Sequence, residues 1–355
     1  MSAKSPRATR RRSFQELGLV LVILVLGAVL TWQSGSTTLY DSTTAASRTV
    51  NIFLNPLNLD NLAKATSCFA IMAVGATLVI IIGGIDLSVG AIYALAAVSG
   101  AKLLHHFGPE GPSGHATPVW VVPAAGLACL GVGTACGLIN GFCTVGLRLH
   151  PFIITLGTMA IFRNMAFVWT EGQSIGTFPP AFTDGLIRRQ WHGLYPVPMT
   201  IMLAVTVAGW IYLNYTRGGR LIFAVGGNEL AARYSGVAVN RRKIIVFGLA
   251  GLTAGIAAMI AIGYYGAASS DDGKGYELQA IAAAVVGGAS LVGGKGTAWG
   301  ALLGALLIRM IDNGIVVLDY PQQYGEIIMG ASIIAAAVLD RITAGLTERR
   351  LLGTA

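Results

Sequence analysis

The sequence predicts an all-α polytopic membrane protein with about ten transmembrane helices and both termini in the cytoplasm. Hydrophobic residues make up 54% of the 355 positions and charged residues only 11%, whereas soluble domains carry about 25% charged residues. Long apolar runs recur along the chain, and a run of about 20 apolar residues is enough to cross a bilayer. These observations exclude one large soluble core.

Ten apolar segments are predicted to span the membrane. The first follows a basic tail, and no Ala-x-Ala-like cleavage site follows it, so we expect a retained helix rather than a signal peptide. We divide the chain into a basic cytoplasmic tail (1–16), a single transmembrane domain (17–340) and a second tail (341–355). The predicted spans are 17–32, 62–83, 87–104, 119–142, 151–170, 197–213, 244–263, 276–292, 297–317 and 324–339.

Polar segments between the spans are expected on alternating sides. Residues 34–59 read as an outside loop with a short surface helix, and 105–118 and 171–195 as further outside loops. Sixteen of the 24 Lys and Arg fall in tails and loops of the predicted inner side and six on the outer side. Because short loops rich in Lys and Arg face the cytoplasm, orientation explains the net charge of +8 better than nucleic acid binding does.

The two remaining basic residues, Arg163 and Arg309, lie inside spans. We expect both to be structural, and Arg309 can pair with Asp312 because residues three apart lie on one helix face. The four cysteines lie in apolar segments without a Cys-x-x-Cys pair, so we interpret them as small packing residues and predict no metal site or disulfide. They are Cys68, Cys129, Cys136 and Cys143.

Glycines spaced four apart predict close helix contacts in three spans. They are Gly133, Gly137 and Gly141, then Gly251 and Gly255, then Gly300 and Gly304. Glycine pairs also predict broken helices near Gly83–Gly90 and Gly287–Gly296, and the similarity of these two runs suggests a weak internal repeat. Asp86 lies in the first break, where it can cap a helix beginning at Leu87 or face a transport cavity, since transporters build sites from broken helices.

The second break contains Gly294 and Lys295, but it is not a phosphate loop. That motif needs a glycine five residues before the glycine of the Gly-Lys pair and Ser or Thr after the lysine, and Ala289 and Gly296 occupy those positions. We therefore expect no cofactor in this chain, and any ATP to be bound by a partner. No Ser-His-Asp or metal-binding array occurs in the sequence, so an enzyme is not predicted.

Polar positions in or near the apolar spans are candidates for a substrate path. Hydrogen-bonding groups without charge suit a neutral polyhydroxyl substrate, although each is also explained by helix–helix hydrogen bonds of about 0.6–2 kcal/mol. The candidate path residues are Asp86, Ser88, Asn140, Thr155, Asn164, Glu277, Gln279 and Asn313.

The longest basic interruption of the apolar sequence lies within 215–243 and is predicted to be a cytoplasmic docking segment. Asn228 is a good helix N-cap, and Gly236 fits a left-handed helix end. The two-turn helix between them, Glu229–Ser235, is too short to be stable alone. It must therefore rest on another part of this protein or on a partner.

Four stretches in order resemble the ribose-type permeases, the membrane subunits of bacterial ABC importers for ribose, xylose, galactose and related sugars. They are GGIDLSVG at 83–90, PFIITLG at 151–157, AVGGNELAARYSG at 224–236 and ELQAIAAAVVGG at 277–288. The resemblance covers nearly the whole chain beyond Asn55.

The resemblance implies a permease homodimer in the inner membrane, with a path between the two chains. Two ATPase subunits would dock on its cytoplasmic face, and a periplasmic binding protein would deliver the sugar. It further implies that the docking segment couples the permease to the ATPase. The coupling residues are then Arg220, Gly226, Gly227, Asn228, Glu229, Ala231, Ala232, Arg233, Ser235 and Gly236.

Two alternatives remain open from the residues themselves. A permease for another small solute, such as a branched-chain amino acid, shares the architecture, although a charged substrate favours half-helix ends or ionic groups aimed at it. A stand-alone secondary transporter usually carries membrane-embedded carboxylates for ion coupling. Here Asp86 and Glu277 are the available carboxylates, and Glu277 lies near a predicted outer end.

Overall fold

The computed structural model describes residues 6–40, 47–109, 118–191, 195–335 and 338, and most of these residues are helical. The tail 341–355 therefore lies outside the described residues, as does most of the predicted loop 105–118. The helices are α1 (Pro6–Gln33), α2 (Pro56–Ile81), α3 (Val89–His106), α4 (Val121–Gly146), α5 (Pro151–Thr170), α6 (Pro180–Phe182), α7 (Pro196–Tyr215), α8 (Arg217–Gly227), α9 (Glu229–Tyr234), α10 (Val239–Tyr265), α11 (Tyr276–Val286), α12 (Ala298–Val317) and α13 (323–335).

Seven of the described helices are long and apolar enough to cross a membrane: α1, α2, α4, α5, α7, α10 and α12. This confirms the all-α polytopic class, while ten spans and the side of each terminus stay predictions. The most buried of the seven is α2, where 94% of the apolar window is covered by other parts of the chain, whereas only 6% of α1 is. The bundle is therefore built around α2, and α1 lies at its edge.

Proline and short polar side chains set where several helices begin. Asn55 accepts a hydrogen bond from the amide of Leu57, with proline at the first helical position, so α2 begins six residues before the predicted Leu62. Pro151 begins α5 as predicted, because His150 caps the helix and proline has no amide to satisfy there. Thr297 caps α12 by accepting from the amide of Gly300.

The predicted glycine contacts hold α4 against α10. A β-carbon added at Gly133, Gly137 or Gly251 would lie within 2.5 Å of a backbone oxygen of the opposite helix. The same holds between α12 and α11, where Gly300 and Gly304 face the backbone of α11 and the residue after it. In an apolar medium such contacts replace the hydrophobic effect as the source of helix association.

The eighth predicted span, 276–292, is wrong in length. Its helix, α11, has 11 residues, about 16 Å at 1.5 Å per residue, and cannot cross a hydrocarbon core of about 30 Å. The ring of Tyr276 lies 4.4 Å from that of Phe69, which is near the middle of α2. The segment before α11, residues 269–275, therefore reaches halfway into the bundle.

The expected surface helix in 34–59 is also wrong. Strands β1 (Ser36–Tyr40) and β2 (Ser47–Asn51) pair antiparallel there, with Ser36 opposite Asn51. The loop 171–195 contains more structure than predicted: β3 (Ile175–Gly176) pairs with β4 (Ala267–Ala268), and a π-helical turn over Thr183–Ile187 follows α6.

Arg163 and Arg309 both have partners within the chain. Arg163 donates to the carbonyl oxygens of Ser270, at 2.8 Å, and Asp272, so it holds the segment 269–275. Arg309 pairs with Asp312 at 3.0 Å. The four cysteines are free thiols, and Cys129 and Cys136 are buried.

Candidate coupling segment and polar sites

The docking segment folds as two helices rather than one. The short helix α9 (Glu229–Tyr234) matches the prediction: the side chain of Asn228 accepts from the amide of Ala231 at 2.9 Å, and Gly236 has a φ of 80°. Sequence reasoning missed α8 (Arg217–Gly227), which Thr216 caps by accepting from the amide of Gly219 at 3.0 Å. The two helices share Asn228, which ends α8 and begins α9.

Glu229 ties α9 to the start of α10. Its carboxylate accepts from Lys243 at 2.8 Å and from Arg233 at 3.2 Å. Partial burial would raise the pKa of Glu229, but hydrogen bonds and the positive charges of Lys243 and Arg233 outweigh it, so the pKa lies below its usual range. The pair with Lys243 and the buried Ala232 therefore link this two-turn helix, which is too short to be stable alone, to the rest of the chain.

Backbone contacts join α8 to both predicted helix breaks. A β-carbon at Gly226 would lie 1.7 Å from the carbonyl oxygen of Ile81, at the end of α2, and 2.7 Å from the amide nitrogen of Gly294. The amide of Gly294 itself donates to the oxygen of Ile81 at 2.8 Å. A β-carbon at Gly293 would meet the oxygen of Gly226. Backbone atoms at the end of α8 therefore touch the end of α2 and the turn after α11.

Gly226 and Gly227, which the sequence treats alike, differ in the structure. Nothing lies within 4 Å of a β-carbon at Gly227, which faces solvent. Of the other predicted coupling residues, Ala232 is buried, Glu229 is half-buried, and the rest are exposed: Arg220, Asn228, Ala231, Arg233, Ser235 and Gly236.

Two exposed apolar side chains on α9 are missing from the predicted coupling set. Leu230 is 65% and Tyr234 is 88% exposed. Residues four apart share one helix face, so the two form an apolar ridge on the outside of the docking segment. The i, i+4 spacing was available in the sequence, but only the structure shows that this face of α9 points away from the bundle.

Three predicted path residues and Thr158 meet in a buried network at the first helix break. Ser88 donates to Asp86 at 2.6 Å, Asn140 donates to Ser88 at 2.7 Å, and Thr158 donates to Asn140 at 2.7 Å. Thr155 lies beside it and accepts from the amide of Leu87 at 3.1 Å. The network links α3, α4 and α5, and sequence reasoning missed only Thr158.

Asp86 does not cap a helix beginning at Leu87. The helix α3 begins at Val89, and Asp86 accepts from both the amide and the hydroxyl of Ser88, which folds the break into a tight turn. The second carboxylate oxygen of Asp86 is buried and has no hydrogen-bond partner in the part of the chain that the structure describes. In this conformation the side chains of the network are buried, so they fix the break rather than present an open surface.

The remaining path residues lie in three other places. Gln279 and Asn313 line a cavity of about 500 Å³ between α2, α11, α12 and α13. Asn164 lies on the exposed face of α5, in an open, mostly apolar groove of about 940 Å³. Glu277 accepts from the amide of Gly275 at 3.2 Å and is close to Gly90 at the start of α3. The eight residues therefore do not form one site.

The similarity of the two glycine runs reflects a shared helix ending. Gly83 and Gly288 have positive φ, 83° and 93°. The next amide in each turn, that of Gly84 or of Ala289, donates at 2.9 Å to a carbonyl five residues earlier. This is the hydrogen bond of a Schellman cap. The two runs therefore align with Gly83 on Gly288, one residue away from the alignment that the sequence suggests.

Comparison with known proteins places this architecture among transport permeases. The model of the family described as "Branched-chain amino acid transport system / permease component" matches residues 58–337. The chain is 40% identical over 288 residues to the ribose import permease protein RbsC of Escherichia coli strain K12, covering 80% of this chain and 85% of that protein.

Two further relatives carry other substrate names. The D-allose transport system permease protein AlsC of Escherichia coli strain K12 is 37% identical over 290 residues, 82% of this chain and 85% of its own. The autoinducer 2 import system permease protein LsrD of Escherichia coli O9:H4 strain HS is 34% identical over 296 residues, 80% and 86% of the two chains. The predicted resemblance is confirmed: the chain belongs to this family of import permease components and is a multi-pass protein of the inner membrane.

Proposed function

We propose that this chain is the membrane-spanning subunit of an ATP-driven importer for a neutral monosaccharide. The observation that carries the proposal is the backbone contact of α8 with the end of α2 and with the turn that follows α11. Backbone atoms in contact cannot absorb a displacement of the docking segment as flexible side chains would, so the displacement reaches α2 directly and α11 through the turn that follows it. A permease driven from its cytoplasmic face needs such a rigid connection.

The proposed partners follow from this arrangement. An ABC ATPase subunit binds the exposed apolar ridge of α9, Leu230 and Tyr234, and a periplasmic binding protein delivers the sugar on the opposite face. ATP is bound by the ATPase, because the glycine turn 287–296 lacks the residues of a phosphate loop. Closure of the ATPases moves α8 and α9, and alternating access results when α2 and α11 follow.

The proposed topology has ten passes with both termini in the cytoplasm. It counts α3, α13 and a broken pass, formed by residues 269–275 together with the short α11, in addition to the seven longer apolar helices. With this count the docking segment lies on the cytoplasmic side, in agreement with the concentration of Lys and Arg there.

A second copy of the chain is proposed to cover the exposed face of α5. Asn164 lies on this face among exposed apolar residues such as Met165 and Val168. An amide facing lipid is costly, so this face is better suited to a protein or aqueous neighbour than to lipid. The homodimer would bring two such faces together.

The substrate is proposed from both the residues and the relatives. Amide and hydroxyl groups predominate among the candidate path residues, which suits a polyhydroxyl ligand, and the relatives RbsC and AlsC are named for ribose and allose. The family description names branched-chain amino acids, so leucine is the control substrate.

The test is uptake by proteoliposomes containing this chain, its ATPase and its binding protein. We expect ATP-dependent accumulation of radiolabelled D-ribose or D-allose and none of L-leucine. Accumulation of leucine alone would refute the sugar assignment. Accumulation driven by an ion gradient without the ATPase would refute the ATP-driven importer.

A further inference from the structure

The cavity between α2, α11, α12 and α13 has the chemistry of a ligand site within a single chain. Its volume of about 500 Å³ lies in the range of about 300–1,000 Å³ typical of small-molecule pockets. No residue of α5 lines it, so it is separate from the face assigned to the second copy.

Amide side chains supply most of the polar lining of this cavity. Asn58, Asn61, Gln279 and Asn313 all line it. Asn58 and Asn313 hydrogen-bond to each other in both directions, at 2.7 and 3.1 Å, which fixes the orientation of both groups. Each amide offers donors and an acceptor, as the hydroxyl groups of a sugar require.

Among the described residues, Arg309 is the one basic side chain that lines the cavity, and its surroundings fix it in place. Its guanidinium lies 3.6 Å from the centre of the Phe69 ring, pairs with Asp312 at 3.0 Å and donates to Gln279. Its buried Nε has no hydrogen-bond partner among the described residues. Asp312 offsets the arginine charge, and Glu326 adds a further carboxylate to the lining. The cavity is therefore unsuited to an anion, and its fixed amide and guanidinium donors suit a neutral polyhydroxyl ligand.

We infer that this cavity is a monosaccharide-binding site that each permease chain provides by itself. The ligand class, a monosaccharide, rests on the proposed function. The inference adds the location of the site and the number of sites, since a homodimer holds two. The amides of α2 and α12 would bind hydroxyl groups, and the fixed guanidinium would donate to a ring or hydroxyl oxygen.

Ala65 provides a test that leaves the polar lining intact. It lines the cavity and is half-buried, so Ala65→Phe fills the space without removing a hydrogen-bonding group. We expect sugar uptake by the assembled importer to fall by roughly tenfold or more because the ring occupies the ligand volume. Leu57→Phe is the matched control, since Leu57 is on the same helix, 65% exposed and not part of the lining.

A second measurement reports occupancy directly. In the assembled importer, Ala65→Cys is labelled with a methanethiosulfonate reagent, and the unsubstituted chain measures the background from its native cysteines. D-ribose or D-allose at about ten times its Kd should slow labelling about tenfold, whereas L-leucine should not.

The outcomes separate this site from the proposed function. Uptake by Ala65→Phe at the wild-type rate, or labelling of Ala65→Cys that neither sugar slows, would overturn the site while leaving sugar import standing. If the wild-type importer accumulates neither sugar but either one protects Ala65→Cys, the site stands and the proposed function fails. Protection by leucine alone would overturn the monosaccharide assignment.

Discussion

Replacing Gly226 with alanine should uncouple ATP hydrolysis from transport. The new β-carbon would lie 1.7 Å from the carbonyl oxygen of Ile81, and non-bonded heavy atoms settle near 3.5–4.0 Å, so α8 must move by more than about 1 Å. Overpacking of this kind costs about 1–3 kcal/mol, which corresponds to a factor of about 5–150 in an equilibrium between coupled and displaced states. We expect sugar uptake to fall within that range.

Gly227→Ala is the matched control. Both substitutions replace a glycine of the same helix by a better helix former, but a β-carbon at 227 has nothing within 4 Å. The difference between the two variants therefore isolates the contact of α8 with α2. The assay compares uptake and ATP hydrolysis by reconstituted importers, after size-exclusion chromatography has shown that both variants assemble.

Three results would refute the reasoning. Gly226→Ala could import sugar at the wild-type rate, which would show that the backbone contact carries no coupling. Gly227→Ala could lose as much uptake as Gly226→Ala, which would assign the effect to the helix itself. Uptake and ATP hydrolysis could both fall because the complex no longer assembles. This would show that the contact stabilises the protein and does not couple hydrolysis to transport.

Three further predictions follow from the sites. Asn140→Ala should lower the free energy of unfolding by about 1–3 kcal/mol, since its partners lose hydrogen bonds in a buried network. Asn164→Ala, on the exposed face of α5, is the control and should change it little. Thermal unfolding in detergent compares the two variants with wild type. Leu230→Ala should reduce co-purification of the ATPase severalfold, and Leu57→Ala, equally exposed on another helix, should not. Glu229→Gln should lower the free energy of unfolding by about 0.2–1 kcal/mol at pH 7, which is the stabilisation that exposed ion pairs contribute. The folded pKa of Glu229 is depressed, so the stabilisation from its ion pairs is complete above the ordinary glutamate pKa and is lost as pH falls through the folded pKa. Acidification from pH 7 to 4 should therefore lower the unfolding temperature of wild type more than that of the variant.

Each of these has an outcome that contradicts it. Equal unfolding temperatures for Asn140→Ala and wild type would mean that the network contributes nothing to the helix break. Full ATPase recovery with Leu230→Ala would remove the apolar ridge from the docking surface. An identical acid response with Glu229→Gln would show that other groups govern the stability of the docking segment.

Local chemistry explains what could be predicted from the sequence. The polar cap at Asn228, the left-handed glycine at 236 and the proline at 151 act within a few residues of themselves, so their consequences are visible without the fold. The glycine spacing of α4 and α10 was informative for the same reason, because a helix places residues four apart on one face. The ion pair of Arg309 and Asp312 needs only one helix.

Contacts between distant segments could not be predicted. The partner of Asn140 is Ser88, 52 residues earlier in the chain, and no local pattern connects them. Gln279 and Asn313 were grouped with Asn164 because all are amides in apolar spans, but helix packing puts the first two in a cavity and the third on an exposed face. The short α11 was missed because its apolar sequence continues past the helix end.

The sequence by itself determined a helical membrane protein, the position of both helix breaks and the docking helix with its caps, since hydropathy and capping are properties of short segments. Only the tertiary structure decided what those features touch. It distinguishes Gly226, which contacts Ile81, from Gly227, which faces solvent. It also separates the predicted path residues into a buried network, a cavity, an exposed groove that holds Asn164, and the site of Glu277 beside Gly90. The physical reason is that close packing depends on the direction of each residue relative to its neighbours in space, and a linear sequence carries that information only within one helix.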